Sequence, residues 1–397
     1  MSENWVTDIQ KRVKGVPFSS GRSNKSGKIS FDDLVFIPAR VAKRPVDYYR
    51  EEISAKTIIG KRSKKPIELK TPIIFGAMSF GALSREAKTA LAKASALAGT
   101  IENTGEGGVL PEERKFSKYL TVQYSTGRFG INEDVLKKAD AVEIKIGQGA
   151  KPGTGGFLPA EKVTEEIAKI RKVPIGKDIH SPAYHLDIKN IEDLRKKIAW
   201  LRKITKGVPI ITKIAAGDVE KDLKLLVKAN PDIIAIDGME GGTGAGPETI
   251  INEVGTPTLA ALARARESLN KMGAKQELWI SGGFNKGGDI AKALSLGADA
   301  VFVATSLLIA MGCIYCRLCY LGKCPGGITT QDPELRKRLN VEEASRKIAF
   351  FVTNCTEEIK MIAGVCGKKN IHDLSKTDLR ALTLETAKIT GVKFIKD

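Results

Sequence analysis

A short apolar run, a glycine-rich turn and then an amphipathic helix form a unit that recurs from Thr71 onward in this 397-residue chain. That rhythm restricts the folds open to it, because strands alternating with helices pair in parallel and bury both faces under the helices. The runs fall at 73–75, 100–103, 141–146, 209–214, 232–236, 277–280 and 300–304, with a weak one at 178–179. Eight runs predict an α/β fold of the (β/α)8 TIM-barrel type over an open doubly wound sheet. The helices carry their own boundary signals. Ser84 is placed to cap a helix that Gly99 ends, a second spans 258–272 before Gly273, and a third follows Gly287-Gly288 and stops at Gly297.

Around that barrel, at 71–312, the chain divides into three further stretches. Residues 1–70 read as an irregular N-terminal segment, because Ser19-Ser20-Gly21-Arg22-Ser23-Asn24-Lys25-Ser26-Gly27 has loop chemistry and no periodicity. A cysteine-rich loop occupies 313–331, and 332–397 reads as a helical extension packed on the barrel. With no run of 18 apolar residues and no apolar stretch near the start, a cytoplasmic protein without membrane contact is expected. The net charge of +18 raises the question of nucleic acid. The basic residues are dispersed and mixed with Asp and Glu, so no nucleic-acid partner is expected; the field suits acidic redox partners or anionic substrates.

Four of the six cysteines crowd into the loop after the eighth run: Cys313, Cys316, Cys319 and Cys324, spaced C-x2-C-x2-C-x4-C and followed by Pro325. This is too cramped for ordinary disulfide pairing and suits thiolates wrapping an iron–sulfur cluster. Zinc and redox-active or inert thiols remain open, although zinc knuckles usually include a histidine and none of the three lies nearby. His180 and His185 lack a third ligand and read as structural. Cys355 and Cys366 read as buried thiols.

In a barrel, function sits where strands end. Those ends are rich in glycine and polar residues: Ala77, Met78 and Ser79 after the first run, Thr104 and Glu106 after the second, Gln148 and Lys151 after the third. Gly241 and Gly242 follow the sixth, Gly282 and Gly283 the seventh, and Thr305 with Ser306 the eighth. Glycines let backbone N–H groups approach a ligand, and barrels often bind phosphate with the last two loops, so FMN fits. NAD fits less well, because no G-x-G-x-x-G follows a strand. Lys145 and Lys213 interrupt apolar strand runs, where a cation would hold the charge of a reduced flavin. Glu106, Gln148, Lys151 and Arg171 are suited to recognising a dicarboxylate.

Several longer motifs carry a resemblance. They are Met78-Ser79-Phe80-Gly81-Ala82-Leu83-Ser84, Asn103-Thr104-Gly105-Glu106-Gly107-Gly108, Gln148-Gly149-Ala150-Lys151-Pro152-Gly153 and Gly241-Gly242-Thr243-Gly244-Ala245. Ser181-Pro182, His185, Asp187-Ile188, Ile191-Glu192-Asp193-Leu194, Cys324-Pro325 and Gln331-Asp332-Pro333 add to them. From about residue 30 onward the chain resembles the FMN-binding synthase domain of archaeal-type glutamate synthase. The resemblance implies reductive amination of 2-oxoglutarate, through 2-iminoglutarate, to L-glutamate. It places Glu106, Gln148, Lys151 and Arg171 around 2-oxoglutarate, and Lys145, Lys213 and the glycine loops around FMN.

The family pattern for a 3Fe-4S cluster, C-x5-C-x4-C, is met by Cys313, Cys319 and Cys324; Cys316 departs from it and would allow a 4Fe-4S cluster. Since the chain opens Met1-Ser2-Glu3 and the barrel begins near residue 70, ammonia is expected from a separate glutaminase subunit or from solution. Electrons are expected from a separate NADPH-reductase or ferredoxin, and the protein is expected to be an oligomer. Two alternatives stay open: a related enzyme acting on another amine, in the manner of N-methylglutamate synthase, and an electron-relay subunit without turnover.

Overall fold

The computed structural model describes residues 4–25 and 29–397. Eight parallel strands make one sheet: β1 (Ile73–Phe75), β2 (Ile101–Asn103), β3 (Tyr119–Tyr124), β4 (Ala141–Lys145), β5 (Ile210–Ala215), β6 (Ile233–Asp237), β7 (Glu277–Ser281) and β8 (Ala300–Val303). Sequence neighbours are sheet neighbours from β2 to β8, and β8 pairs back onto β1. At the remaining joint Thr100 Oγ1 donates to the Ile73 carbonyl at 2.5 Å. The result is a (β/α)8 barrel.

One strand differs from expectation. The weak run at 178–179 is not in the barrel: Ile179–His180 pairs antiparallel with Phe157–Leu158 in a separate two-stranded sheet. Two residues are too few to cross a barrel wall, and this pair belongs to the long excursion between β4 and β5. The vacant place in the count is filled by β3, whose Tyr-Leu-Thr-Val-Gln-Tyr sequence is rich in aromatic and β-branched residues that favour strands. The capping signals hold: Ser84 accepts the Ala87 N–H, and Gly99 ends the same helix with φ 68°.

Strand side chains alternate between the two faces of the sheet. Ala141, Ile211, Ile233 and Trp279 point into the barrel with Ile74, Ile101 and Phe302. Val142, Ile210, Ile234 and Leu278 point outward against the helices. A hairpin of Thr57–Ile59 and Ile67–Leu69 adds Ile59, Ile67 and Leu69 to the inner cluster and closes the N-terminal end. Two residues further along the same strands, the inward positions are Glu143, Lys213 and Ser281, and β6 ends on Asp237. The register that fills the barrel with hydrocarbon at one end therefore lines it with polar groups at the other.

The lead-in segment, expected to be irregular, holds a helix at Asn4–Val13 and several short strands; its residues 1–3 and 26–28 lie outside the described residues. Phe18–Gly21 pairs with Thr243–Pro247 in the loop after β6, and Leu34–Phe36 pairs with Leu379–Ala381 near the C-terminus. The long helix Val341–Val365 packs on the helices Arg85–Ala98 and Gly287–Ser295. No helix among the described residues is long and apolar enough to cross a membrane.

A buried charge cluster ties the first barrel units together. Lys88 Nζ lies 2.8 Å from Glu102 Oε1 on β2 and 2.9 Å from Glu113 Oε1 on the helix Pro111–Phe116, and donates to the Asn103 carbonyl at 3.0 Å. Burial pushes the Glu102 carboxyl up to about 7 and raises Glu113 in the same direction. Lys88→Met would leave two carboxylates buried without their cation, and we expect it to cost roughly 3–5 kcal/mol in denaturant unfolding. A loss under about 1 kcal/mol would contradict this role. Because folded Glu102 binds its proton more tightly than unfolded Glu102, its contribution to stability declines as pH rises from the unfolded value through about 7.

Candidate active site

The polar end of the barrel opens into a cavity of about 530 Å³, within the range of small-molecule and cofactor sites. Ala77, Met78, Ser79, Glu106, Lys145, Gln148, Lys151, Arg171, Lys213, Gly241, Gly242, Gly282, Gly283 and Thr305 all line it, as do the four loop cysteines. Thr104 is the one expected site residue that does not. Its Oγ1 accepts the Gln123 N–H at 3.1 Å and its own N–H bonds the Thr121 carbonyl at 3.0 Å, so it joins β2 to β3.

The floor of the cavity is a chain of polar side chains crossing six neighbouring strands, β2 to β7. Asn103 Nδ2 and Gln123 Nε2 donate to the two oxygens of Glu143, at 3.0 and 2.6 Å. Lys213 Nζ stands 3.9 Å from both Glu143 Oε1 and Asp237 Oδ2. Asp237 in turn accepts from Ser281 Oγ at 2.7 Å and the Gly149 N–H at 2.9 Å. Buried carboxylates need such partners, and this chain supplies them on both sides of one lysine.

Above the floor stands a wall with surplus positive charge. Lys145 Nζ pairs with Glu106 Oε2 at 2.9 Å. Burial opposes ionisation of Glu106, but the Lys145 charge, the Ser181 hydroxyl and the Arg171 charge together outweigh it and hold the carboxyl below its ordinary value; its Oε1 is buried without a close hydrogen-bond partner among the described residues. Lys151 Nζ donates to the Ala245 carbonyl at 2.9 Å. Arg171 donates to the Phe80 carbonyl at 2.6 Å and to Ser79 Oγ at 3.3 Å. Among the described residues neither is paired with a carboxylate. Burial draws Lys151 down to about 8, helped by repulsion from Lys145, and Arg171 down to about 10. Three cations face one carboxylate, a surplus of two positive charges, and an anion of matching charge is the complement this wall lacks.

The loops after β6 and β8 approach each other closely. A Cβ on Gly242 would lie 2.4 Å from Thr305 Oγ1, and Gly282 holds φ 122°, a conformation few side chains tolerate. This backbone-lined end has room for a phosphate, while the Met78 and Phe302 sides of the cavity offer apolar surface to a flat ring.

The cysteine loop forms the remaining side. All four thiols are free. Burial raises the Cys324 thiol, but facing N–H groups around residues 326–329 outweigh it and hold it below the ordinary cysteine value. Tyr315 N–H donates to Cys313 Sγ at 3.4 Å. The donor set is chemically suited to an iron–sulfur cluster. Among the described residues no three His, Cys, Asp or Glu side chains are arranged to hold a single metal ion.

Gln123, Ser20, Arg22 and Lys162 also line the cavity and were not expected. Gln123 lies on β3, which the strand pattern does not single out; the β-branched pair Thr121-Val122 between Tyr119 and Tyr124 is its available signal. Ser20 lies on the strand Phe18–Gly21 and links two loops, donating to the Gly244 carbonyl at 2.7 Å and accepting the Tyr320 N–H at 3.0 Å. His185 has a structural place. Its Nε2 bonds the Lys145 carbonyl at 2.8 Å and its Nδ1 meets Arg128 at 2.6 Å, and burial draws its ionisation down to about 4.

A family model described as a conserved region in glutamate synthase matches residues 15–369. A glutamate synthase large subunit-like protein of Rhizobium meliloti is 42% identical, over 94% of this chain and 89% of its own. The archaeal-type glutamate synthase [NADPH] of Thermotoga neapolitana is 41% identical, over 97% and 81%. Among solved structures, flavocytochrome b2 with bound sulfite matches at TM-score 0.61 and 16% identity, over 93% of this chain and 82% of that one. A mandelate oxidase variant carrying an FMN adduct matches at TM-score 0.55 and 14% identity, over 86% of each; both likenesses concern the fold. With a barrel of the expected kind and a match over most of its length, the chain belongs to the glutamate synthase family.

Proposed function

We propose that this protein is the synthase component of a glutamate synthase: an FMN-dependent oxidoreductase that forms L-glutamate from 2-oxoglutarate and ammonia, with electrons relayed by an iron–sulfur cluster. The observation that carries this reading is the buried cationic wall at the edge of a glycine-lined cavity, because its surplus matches a dicarboxylate in size and sign. Family membership and the names of the relatives support the choice of 2-oxoglutarate. FMN, when bound, supplies the hydride that reduces the imine carbon.

The chain's own residues do the rest. Gly241, Gly242, Gly282, Gly283 and Thr305 hold the phosphate of the cofactor, and Ala77, Met78, Ser79 and Lys213 flank its ring. Lys151 and Arg171 bind the two carboxylates, with Gln148 beside them. Ammonia adds to the 2-oxo group with loss of water. Glu106, kept ionised by Lys145, uses its free Oε1 to accept an N–H of the resulting imine and so orients the carbon for reduction.

Cys313, Cys319 and Cys324 hold the cluster, and Cys316 stands near enough in sequence to offer a fourth thiolate. Ammonia comes from a separate glutaminase or from solution, and electrons from a separate reductase or ferredoxin. EPR spectra of the protein as isolated and after reduction, with iron counted, distinguish a three-iron from a four-iron cluster. A sample devoid of iron would contradict the relay.

A hydrogen bond to a charged group is worth about 1.5–3 kcal/mol. Lys151→Gln and Arg171→Gln should therefore each raise KM for 2-oxoglutarate by roughly 10- to 100-fold in steady-state assays, with FMN content unchanged. An unaltered KM in both would refute the assignment.

The free-protein value of Lys151, about 8, also sets a pH limb. The ammonium that binds substrate is lost as pH rises through that value, so kcat/KM should fall there in the native protein. In Lys151→Gln this limb should be absent; its persistence would assign it to another group.

A further inference from the structure

Lys162 is a buried cation that the proposed reaction does not use. It ends the short turn Ala160–Lys162, between the strand Phe157–Leu158 and the helix Glu165–Arg171, and is only 7% exposed. Its Nζ donates to the carbonyl of Cys319 at 2.8 Å and to that of Thr329 at 3.2 Å, both in the cysteine loop. The loop closes tightly over its stem: a Cβ on Gly322, which has φ 70°, would lie 2.9 Å from Lys162 Cε. Among the described residues no carboxylate pairs with it. The loop it is tied to carries the thiols of Cys319 and Cys324.

A buried ammonium without a carboxylate is costly unless other negative charge faces it. Here that charge would come from thiolates, and it would grow whenever an electron arrives. The reduction potential of a thiolate-held cluster responds to the net charge, hydrogen bonding and solvent exposure around it. A cation fixed by two loop carbonyls and shielded from water favours the reduced, more negative state.

We propose that Lys162 is a positioning residue that sets the electron affinity of the cluster held by the cysteine loop. It raises the affinity for an electron and so eases delivery from a donor. The inference rests on the cluster reading given above. It adds that the charge of one side chain outside the cysteine motif governs how readily the cluster is reduced.

The test is an EPR-monitored redox titration of the full chain loaded with FMN, iron and sulfide. It compares the native protein with Lys162→Gln and Lys162→Arg, and iron and flavin are counted in each. Lys162→Gln should keep its iron and flavin while its midpoint moves to a more negative potential; Lys162→Arg, which keeps the charge, should stay near the native midpoint. An unchanged midpoint in Lys162→Gln with iron retained overturns the inference. So does an equal shift in both variants, which would point to shape and not charge. Loss of iron from Lys162→Gln also overturns it, by assigning the lysine to holding the loop together. Absence of iron from the native protein is a different failure, since it removes the cluster reading and the inference with it.

Discussion

Lys213 stands between Glu143 and Asp237 at the mouth of the barrel, and this shared cation is the contact on which the site depends. Carboxylates in a closed sheet are cut off from bulk water and must be satisfied by neighbours. Asn103 and Gln123 complete Glu143, while Ser281 and the Gly149 amide complete Asp237. The same chain of bonds thus fixes the ends of the strands and the first turn of the loop that carries Gln148 and Lys151. A rigid floor lets the wall above it keep uncompensated positive charge, because the cations there cannot turn away to find carboxylates.

Three segments outside the barrel strands complete the enclosure. The strand Phe18–Gly21 pairs with Thr243–Pro247, and through Ser20 it joins that glycine loop to Tyr320 in the cysteine loop. Lys162 joins the excursion after β4 to the same cysteine loop. Ser84 and Gln331 bind it to the first barrel loop, with Ser84 Oγ donating to the Gly327 carbonyl at 2.7 Å and Gln331 Nε2 to the Gly81 and Leu83 carbonyls at 3.1 and 3.0 Å. The cysteines are thereby held against the cavity by three independent ties.

Much of this was legible before the structure, because barrel chemistry is written in local patterns. Strand ends marked by glycine clusters pointed to Gly241, Gly242, Gly282 and Gly283, and lysines interrupting apolar runs pointed to Lys145 and Lys213. Arg171 was harder. It lies on a helix in the excursion between β4 and β5, away from any strand end, so its chemistry as a carboxylate partner and the family resemblance, and not its place in the strand pattern, pointed to it. Thr104 sits in the same motif as Glu106 but turns toward β3 and away from the cavity. Ser20 and Lys162 were illegible in principle: each acts through contacts more than 100 residues away in sequence, with |i−j| of 224 and 157, and nothing local distinguishes either from an ordinary loop residue. The weak run at 178–179 has only two strand residues and pairs with Phe157–Leu158, so the barrel place falls to the longer β3.

The central claim is that the cationic wall presents a dicarboxylate to a reduced flavin in the same cavity. Stopped-flow mixing of the FMN-loaded, photoreduced protein with 2-oxoglutarate and ammonia, without oxygen, tests it most directly. The account predicts that the flavin is reoxidised only when both are present and that L-glutamate appears in equal amount. A flavin that stays reduced in the presence of both would contradict it.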